Sequence, residues 1–290
     1  MKISSIFKQN KTIFSLEVFP PKKTSPINTI YDTLDKLKDL DPDFISVTYG
    51  AGGNIADTST CDIASDIKKI YNIEPLAHLT CVNSTKEEVK INLDRLNNCG
   101  IENIMALRGD VNPNVEPKKD FKYASELVAF IKQNGDFNIS GACYPEGHVE
   151  AKNLKGDILN LKKKVDTGVS HLISQLFFDN KFFYDFVRRA KNAGINVPIE
   201  AGIMPVVNKK QIERMVTLCG ASLPPKFTKM MQRYEYHEEA LRDAGIAYAI
   251  EQIVDLLSHD VDGIHLYTMN NANIAKRISE SVHSLIKAKS

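Results

Sequence analysis

Residues 13–48 read IFSLEVFPPKKTSPINTIYDTLDKLKDLDPDFISVT. The stretch begins with an apolar run (13–19), continues with apolar residues at helical spacing (27–40) and ends with a second apolar run (44–48). Both runs are short and rich in β-branched or aromatic residues, which is typical of buried strands. Because a helix-length segment joins them instead of a two-residue turn, the two strands are predicted to be parallel, as in a βαβ unit.

The same alternation continues along the chain. Further apolar runs follow at intervals of about 30 residues, the length of one βα unit. Amphipathic segments separate them, for example at 86–99, 124–133, 154–167 and 182–193. The predicted strands are 13–19, 44–48, 75–79, 104–107, 137–143, 171–177, 197–201 and 263–267.

Eight such units predict an α/β fold, the (β/α)8 or TIM barrel, formed by a single domain of residues 1–290. The longer interval between the seventh and eighth strands predicts additional helices near 209–218, 225–234 and 237–257. An open, doubly wound sheet is the structural alternative. That architecture usually has a glycine-rich phosphate loop after a strand, and the glycine-rich residues 49–53 fit neither GxGxxG nor the P-loop.

Composition excludes several classes of function. Lys and Arg number 37 and Asp and Glu 36, so the net charge of +1 argues against a broad nucleic-acid-binding surface. No apolar run is long enough for a membrane span or a signal peptide. The five cysteines are widely spaced without a CxxC pair, which disfavours a disulfide framework and a zinc ribbon. We therefore expect a cytoplasmic protein that binds neither nucleic acid nor membranes and holds no metal.

Polar side chains collect at the carboxyl ends of the predicted strands, where (β/α)8 barrels have their active sites. They are Glu17, Thr48, His78, Arg108, Asp110, Tyr144, His148, Gln175 and Tyr267. This pattern predicts an active site. The absence of a lysine within the strands disfavours a Schiff-base aldolase, while redox or group-transfer chemistry with a bound cofactor stays open.

Glu17 interrupts the first apolar run. A carboxylate directed into a barrel mouth would be partly desolvated, which would raise its pKa and suit it to general-acid catalysis. The alternative is that Glu17 faces the helix layer or pairs with a lysine. Structural alternatives stay open elsewhere: Asp110 as a turn residue, His78 as a hydrogen-bonded core histidine, and residues 162–164 as a solvated helix face from which only Lys164 would contact a phosphate.

The strand-end segments are SLEVFPP (15–21), FISVTYGA (44–51), HLTC (78–81), ALRGD (106–110), YAS (123–125), YPEGH (144–148), EAK (150–152), Gln175, FFD (177–179) and GIMP (202–205). Taken in this order, they resemble the methylenetetrahydrofolate reductase family, in its bacterial form with the catalytic domain alone. Each segment is weakly specific alone, but their order is highly specific.

Members of this family are flavin-containing (β/α)8 barrels that reduce 5,10-methylenetetrahydrofolate to 5-methyltetrahydrofolate. The resemblance implies FAD as cofactor, a reduced folate as substrate and NAD(P)H as donor, with ping-pong hydride transfer through the flavin. It implies Glu17 as the general acid that protonates N10 to open the imidazolidine ring. It also implies substrate contacts from Asp110, Gln175 and Tyr267, with Asp110 lying beside both the flavin and the pterin and acting in catalysis.

Further positions match residues that contact the flavin cofactor in the family. They are Thr48, Tyr49, Ala51, His78, Arg108, Gly109, Asp110, Tyr123, Ala124, Tyr144, His148, Ala151, Asp157, Asn160, Lys163 and Lys164. Among these, the resemblance implies that the basic side chains of Arg108 and Lys164 pair with the pyrophosphate.

Two positions depart from the family pattern, both at the outer pocket for the substrate tail and the nicotinamide. Lys209 stands where bacterial members often have an aromatic residue, and Asn271 where an arginine is expected to bind the glutamate tail of folate. These departures leave open whether the donor is NADH, NADPH or an electron-donating partner subunit. The resemblance also implies a homo-oligomer, and it leaves methionine synthesis and an anaerobic one-carbon pathway as alternatives.

Two other classes of function stay open. A pterin-binding barrel methyltransferase would use folate without a flavin, and a non-catalytic subunit would keep the barrel as a docking surface. A docking surface has no need of a carboxylate within an apolar strand, so Glu17 and Asp110 weigh against the second class.

Overall fold

The structure, a computed structural model, describes residues 1–9, 11–21, 26, 28–49, 59–110 and 118–288. Within these residues, eight strands pair in sequence order to form a closed parallel barrel. The strands are β1 (Ile13–Val18), β2 (Phe44–Val47), β3 (Glu74–Thr80), β4 (Asn103–Leu107), β5 (Asn138–Cys143), β6 (His171–Ser174), β7 (Ile199–Ile203) and β8 (Gly263–Tyr267).

Pairing between the first and last strands closes the barrel. β1 lies parallel to β8, from Ile13 opposite Gly263 to Glu17 opposite Tyr267. Closure gives both strands a partner on each side, which an open sheet cannot do. The predicted (β/α)8 barrel is confirmed, and the open, doubly wound alternative is wrong.

Helices follow the strands and cover the barrel. In the described ranges the α-helices are α1 (Asn28–Leu37), α2 (Ser59–Lys69), α3 (Lys86–Asn98), α4 (Ala124–Asn134), α5 (Leu154–Asp166), α6 (Asn180–Asn192), α7 (Lys209–Cys219), α8 (Pro225–Tyr234), α9 (Glu238–Ser258) and α10 (Ala272–Lys287). The additional helices predicted between the seventh and eighth strands are confirmed as α7, α8 and α9. Among the described residues, none of the helices is long and apolar enough to cross a membrane.

Local sequence determines where individual helices begin and end. The Thr85 hydroxyl accepts a hydrogen bond from the Glu88 N–H, and the Glu88 carboxylate accepts one from the Thr85 N–H, so a capping box begins α3. Beyond the end of α3, Gly100 has a φ of 74°. This left-handed conformation is accessible to glycine without strain, and it directs the chain back toward β4.

Two predicted strand boundaries are wrong by two or three residues. The sixth strand ends at Ser174 and not at residue 177, because Leu176 and Phe178 leave the barrel and pack in a cluster with α7, α8 and α9. The seventh strand begins at Ile199 and not at residue 197, since its pairing with β6 starts there. An apolar run does not by itself show where strand pairing stops.

The apolar core leaves one end of the barrel open. Side chains such as Leu16, Val47 and Leu266 fill the layer between strands and helices, where full burial of each contributes about 1.5–3 kcal/mol. At the amino ends of the strands, Ile3 is fully buried and its N–H donates to Asn103 Oδ1 at 2.8 Å, which closes that end. The carboxyl ends are where polar side chains meet.

Candidate active site

A cavity of about 590 Å³ opens at the carboxyl ends of the strands. Most of the side chains predicted for an active site line it. They are Glu17, Thr48, Tyr49, His78, Arg108, Gly109, Asp110, Tyr144, His148, Gln175 and Tyr267. Apolar surface between them comes from Met105, Leu107, Ala142 and Ile173. The barrel thus brings together residues that lie far apart in the sequence.

Glu17 directs its side chain into this cavity, with 17% of it exposed. Among the described residues, three side chains surround its Oε2 atom: Ser46 Oγ at 3.4 Å, His265 Nε2 at 3.5 Å and His78 Nε2 at 3.6 Å. Glu17 therefore faces the barrel interior and has histidine neighbours. The alternative in which it faces the helix layer or pairs with a lysine is wrong.

The pKa of Glu17 is lowered, whereas the sequence predicted that it would be raised. Burial raises it, but the hydrogen bond with His265, the charges of His78 and His265 and the hydrogen bond from Ser46 together outweigh burial. The net pKa lies below the ordinary value of 4.5, so Glu17 is a carboxylate at neutral pH. The expected increase is wrong because apolar neighbours in sequence do not reveal the polar groups on adjacent strands. To act as an acid, Glu17 must first acquire a proton.

Sequence reasoning missed two of the three side chains around Glu17. Ser46 and His265 each lie two residues before a predicted site residue, Thr48 and Tyr267 respectively. Side chains alternate between the two faces of a strand, so this period of two could have identified both. Their contact with Glu17 follows only from the register, which sets Ser46 and Tyr267 opposite Glu17 on either side.

His78 on β3 is buried, and its Nε2 has no hydrogen-bond partner among the residues that the structure describes. Burial lowers its pKa, an effect that the Glu17 charge opposes and the charge of His265 reinforces, so the ring is neutral at pH 7. The interpretation as a hydrogen-bonded core histidine does not fit this nitrogen. Because His78 lines the cavity, Nε2 is available to a bound ligand.

The segment after β4 forms one side of the cavity. Gly109 has a φ of 82°, and a Cβ atom there would lie 3.0 Å from Thr80 Cβ. Position 109 therefore favours glycine, which also allows a ligand to approach the backbone closely. Asp110 is exposed at the cavity, and its carbonyl oxygen accepts a hydrogen bond from Asn83 Nδ2 at 3.3 Å.

The two basic residues expected at a pyrophosphate are both engaged within the protein. Arg108 donates two hydrogen bonds to the Glu150 carboxylate, at 2.5 and 2.8 Å. Lys164 donates to the Ala142 carbonyl oxygen at 2.5 Å, and burial lowers its pKa. Lys164 thus packs behind the cavity wall, and the idea that residues 162–164 form a uniformly solvated helix face is wrong. To bind a pyrophosphate, the Arg108 guanidinium would have to give up its hydrogen bonds to Glu150 and donate to the phosphate oxygens instead.

Several predicted cofactor residues do not line the cavity. They are Tyr123, Ala124, Ala151, Asp157, Asn160, Lys163 and Lys164. Asp157 contacts the cavity wall, since its Oδ2 accepts a hydrogen bond from the His148 N–H at 3.2 Å. Tyr123 is 53% exposed just before α4. Ala51 lies outside the described residues.

The polar groups of Gln175 and Tyr267, predicted for substrate binding, are partly used by the protein. Gln175 Oε1 accepts a hydrogen bond from the Leu176 N–H at 2.9 Å, and the Tyr267 hydroxyl donates to the Ser174 carbonyl oxygen at 2.7 Å. Burial raises the pKa of Tyr267 well above 10, so it stays a neutral phenol. Tyr267 therefore contributes mainly its ring to the cavity.

The two departures from the family pattern lie at helix beginnings. Asn271 is the N-cap of α10, and its side-chain oxygen accepts a hydrogen bond from the Ile274 N–H at 3.2 Å. Lys209 begins α7, and its side chain lies outside the described part of the chain. The same helix contributes Met215 and Cys219 to the cavity lining. The additional helices thus cover one side of the site.

Comparison with known proteins agrees with this architecture. Residues 2–283 match the family model described as methylenetetrahydrofolate reductase. A 5,10-methylenetetrahydrofolate reductase of Escherichia coli is 38% identical over 275 residues, which cover 94% of this chain and 92% of that protein. Methylenetetrahydrofolate reductase (NADH) 1 of Arabidopsis thaliana is 37% identical and covers 93% of this chain, which spans about half (48%) of that longer protein.

A solved structure has the same fold. It is a protein from Clostridium thermocellum, described as binding two copies of 5-methyl-5,6,7,8-tetrahydrofolic acid, with a TM-score of 0.70, 15% identity and 99% coverage of both chains. The closed barrel and the polar cavity at its carboxyl end define an enzyme of the TIM-barrel class. The chain belongs to the methylenetetrahydrofolate reductase family and is an oxidoreductase.

Proposed function

We propose that this chain reduces 5,10-methylenetetrahydrofolate to 5-methyltetrahydrofolate, with FAD as the bound hydride carrier and NAD(P)H as the donor in a ping-pong reaction. Family membership supports folate reduction. The observation that carries the proposal is the position of Glu17, whose carboxylate lies between Ser46, His78 and His265 within the cavity. This position suits a group that exchanges protons with a bound substrate away from bulk water.

The cavity fits a flavin. Its volume of about 590 Å³ lies within the range of about 300–1,000 Å³ typical of small-molecule and cofactor sites. Apolar surface suits a flat ring system, and His78 Nε2, unpartnered within the described residues, can hydrogen-bond to it. The residues that would hold FAD at the cavity are Thr48, Tyr49, His78, Arg108, Gly109, Tyr144 and His148. When bound, the flavin supplies hydride transfer.

Each substrate-facing side chain then has a separate task. Glu17 delivers a proton to N10 of the folate, which opens the imidazolidine ring. The exposed carboxylate of Asp110 accepts hydrogen bonds from the pterin, while Gln175 and the ring of Tyr267 orient the ligand in the cavity. Folate and nicotinamide would occupy this cavity in turn, which is the arrangement that ping-pong kinetics requires.

The cellular setting is part of the same proposal. The five cysteines are free thiols, as in proteins of a reducing compartment. Together with the family resemblance, this supports a cytoplasmic homo-oligomer. The donor is NAD(P)H in this proposal, and the alternative, which the first experiment distinguishes, is a reductase that takes its electrons from a partner subunit.

The visible spectrum of the purified protein, followed by anaerobic addition of NADH or NADPH, tests the cofactor and the donor. We expect a flavin spectrum that bleaches with one of the nucleotides. If the flavin bleaches only with dithionite, the donor is not NAD(P)H, and a partner subunit or another donor supplies the electrons. The absence of flavin after reconstitution with FAD would contradict the proposal and favour the flavin-free methyltransferase.

The substitution Glu17→Gln tests the acid. We expect the variant to keep its flavin and its rate of flavin reduction by the donor. The rate of the folate half-reaction should fall by about 100-fold or more, the range for removal of a general acid. Single-turnover measurements of the two half-reactions check this. The control is Glu102→Gln, which removes a carboxylate at the opposite end of the barrel. In the wild type this carboxylate accepts a hydrogen bond from the amino terminus. If both half-reactions slow equally in Glu17→Gln, the assigned role is wrong.

A further inference from the structure

A chain of buried polar side chains continues from Glu17 into the barrel. Ser15 lies two residues earlier on β1 and shares the inward face. Ser15 Oγ is 2.7 Å from His265 Nδ1 and 2.7 Å from Glu200 Oε1. The other ring nitrogen of His265, Nε2, is 3.5 Å from Glu17 Oε2. Ser15, His265 and Glu200 are completely buried, so these contacts link a carboxyl group deep in the barrel to the carboxylate in the cavity.

The surroundings of Glu200 favour its protonated form. In the described part of the chain, Glu200 Oε2 has no hydrogen-bond partner, and its ion-pair neighbour is His171, 4.0 Å away on β6. Burial lowers the pKa of His171 to about 3, so that ring is neutral. Burial raises the pKa of Glu200 to about 8, the hydrogen bond from Ser15 opposes this, and the charges of Asp43 and Asp262 add to it. A carboxylate here would be an uncompensated buried charge.

Titratable groups face this site from both strands beside β7 and from the segments that precede β2 and β8. β6 contributes the neutral His171, and β8 contributes His265. Asp43 lies just before β2 and Asp262 just before β8, and both carboxylates already accept hydrogen bonds from other groups. Asp43 accepts hydrogen bonds from the Phe14 N–H and Lys11, and Asp262 accepts one from the Ile199 N–H. Lys11 is the cation of this group and is paired with Asp43, so the described neighbours provide no positive charge that would stabilise ionised Glu200.

Two proton arrangements satisfy the chain of contacts. In the first, Glu200 donates to Ser15, Ser15 donates to His265 Nδ1, and His265 Nε2–H donates to the Glu17 carboxylate. In the second, Glu17 donates to His265 Nε2, His265 Nδ1–H donates to Ser15, and Ser15 donates to the Glu200 carboxylate. Both contain the same number of protons. They differ in which glutamate is the carboxylic acid, in which ring nitrogen of His265 carries the proton, and in the acceptor to which Ser15 donates.

We infer that Glu200 holds the proton that Glu17 delivers to the folate, and that Ser15 and His265 carry it between the two carboxyl groups. This inference rests on the proposed function of Glu17. Glu200 is a positioning residue in this scheme, because it acts on the substrate only through Glu17. It explains how a glutamate that is ionised in the resting protein can serve as an acid.

The transfer balances without any further reactant. The Glu200 O–H bond breaks and a proton passes to Ser15, whose own proton moves to His265 Nδ1. The proton on His265 Nε2 moves to Glu17 Oε2, which leaves Glu200 as a carboxylate and Glu17 as an acid. After Glu17 protonates the substrate, a solvent proton enters through Glu17, which is partly exposed in the cavity, and the reverse sequence restores Glu200.

Two substitutions interrupt the relay formed by Glu200, Ser15, His265 and Glu17 while leaving Glu17 in place. Glu200→Gln keeps the shape and a hydrogen bond to Ser15 but has no transferable acid proton. Ser15→Ala removes the link between the two carboxyl groups. We expect each variant to keep normal flavin reduction by its donor and to slow the folate half-reaction by about tenfold or more, less than the roughly 100-fold or more expected when the general acid itself is removed. Ser140→Ala, a buried serine on β5 outside the relay, is the matched control and should match the wild type.

The pH profile of the folate half-reaction separates a relay from a packing effect. In the wild type we expect its rate to fall as pH rises through about 8, where Glu200 loses its proton. Glu200→Gln should lose this alkaline limb and show a low, flat rate. Loss of packing alone would lower the rate and leave the limb in place, which would overturn the inference.

Infrared spectroscopy tests the proton on Glu200 without flavin or folate. We expect the wild-type protein at neutral pH to show the carbonyl band of a buried protonated carboxyl group, which persists in Glu17→Gln and disappears in Glu200→Gln. The absence of this band, or its persistence in Glu200→Gln, would overturn the inference.

The kinetic and spectroscopic results distinguish failure of the relay from failure of the proposed function. If Glu17→Gln blocks folate reduction while Glu200→Gln and Ser15→Ala do not slow it, the relay is wrong and the reductase stands. If Glu17→Gln leaves folate reduction intact, the acid role of Glu17 and the relay are both wrong, whereas a wild-type protein that does not reduce the folate contradicts the proposed function itself.

Discussion

Glu17 and Glu200 lie on the inner face of one barrel and have pKa values shifted in opposite directions. Burial acts on both, but histidines and the donated hydrogen bond of the Ser46 hydroxyl stabilise the Glu17 carboxylate, whereas two aspartates add to the effect of burial at Glu200. The direction of each shift therefore depends on which side chains neighbouring strands supply. Residue identity alone would assign both glutamates the same behaviour.

The raised pKa of Glu200 makes stability depend on pH. The folded state binds this proton more tightly than the unfolded state, so the stabilisation is complete below pH 4.5 and is lost as pH rises through about 8. This shift corresponds to a contribution on the order of 5 kcal/mol. We expect the free energy of unfolding of the wild type to fall over this interval and that of Glu200→Gln to stay flatter, as measured by urea denaturation.

Glu102→Gln is the control for this stability measurement. The hydrogen bonds from the amino terminus and Lys68 lower the pKa of Glu102 to about 2. The stabilisation from this lowered carboxyl pKa is therefore present above pH 4.5 and is lost as pH falls toward 2, so this substitution should alter the acid side of the stability profile. An unchanged alkaline slope in Glu200→Gln would show that Glu200 is not protonated in the folded protein.

At the scale of elements, β7 can approach β6 because position 202 is glycine. A Cβ atom there would lie 2.2 Å from the Ser174 carbonyl oxygen and 2.8 Å from the ring of Tyr267. We expect Gly202→Ala to destabilise the protein by about 1–3 kcal/mol through overpacking, measured by urea denaturation. Gly156→Ala is the matched control, since its Cβ would meet only Asn153 Oδ1 at 3.4 Å. This helical site should gain about 0.5–1 kcal/mol. Equal stability of the two variants would contradict the packing argument.

The order of elements was predictable from the sequence, and their limits less so. Strand and helix periodicity identified all eight strands because buried parallel strands are short continuous apolar runs. The end of β6 was missed because Leu176 and Phe178 continue the apolar run after strand pairing has stopped. Apolar residues have the same pattern whether they fill the barrel layer or the cluster under the additional helices.

At the scale of the molecule, closure of the barrel makes the first and last strands neighbours. No strand can then separate without breaking pairing on both sides, so we expect one cooperative unfolding transition, as the single predicted domain requires. Because the sequence has ten tyrosines and no tryptophan, near-ultraviolet circular dichroism of tyrosine should report tertiary packing. Its transition in urea should coincide with the far-ultraviolet one. Two separate transitions would indicate that α7, α8 and α9 form an independent unit.

The sequence by itself determined the (β/α)8 order and the polar residues at the carboxyl ends of the strands, because both depend on local periodicity and on the known geometry of barrels. Tertiary structure alone decided the surroundings of Glu17. Ser46 and His265 reach it through strand register, and Glu200 connects to it through Ser15 across the closed barrel. The pKa of a buried carboxyl group depends on contacts within a few ångströms. Residues far apart in the sequence make those contacts, so only the folded chain reveals them.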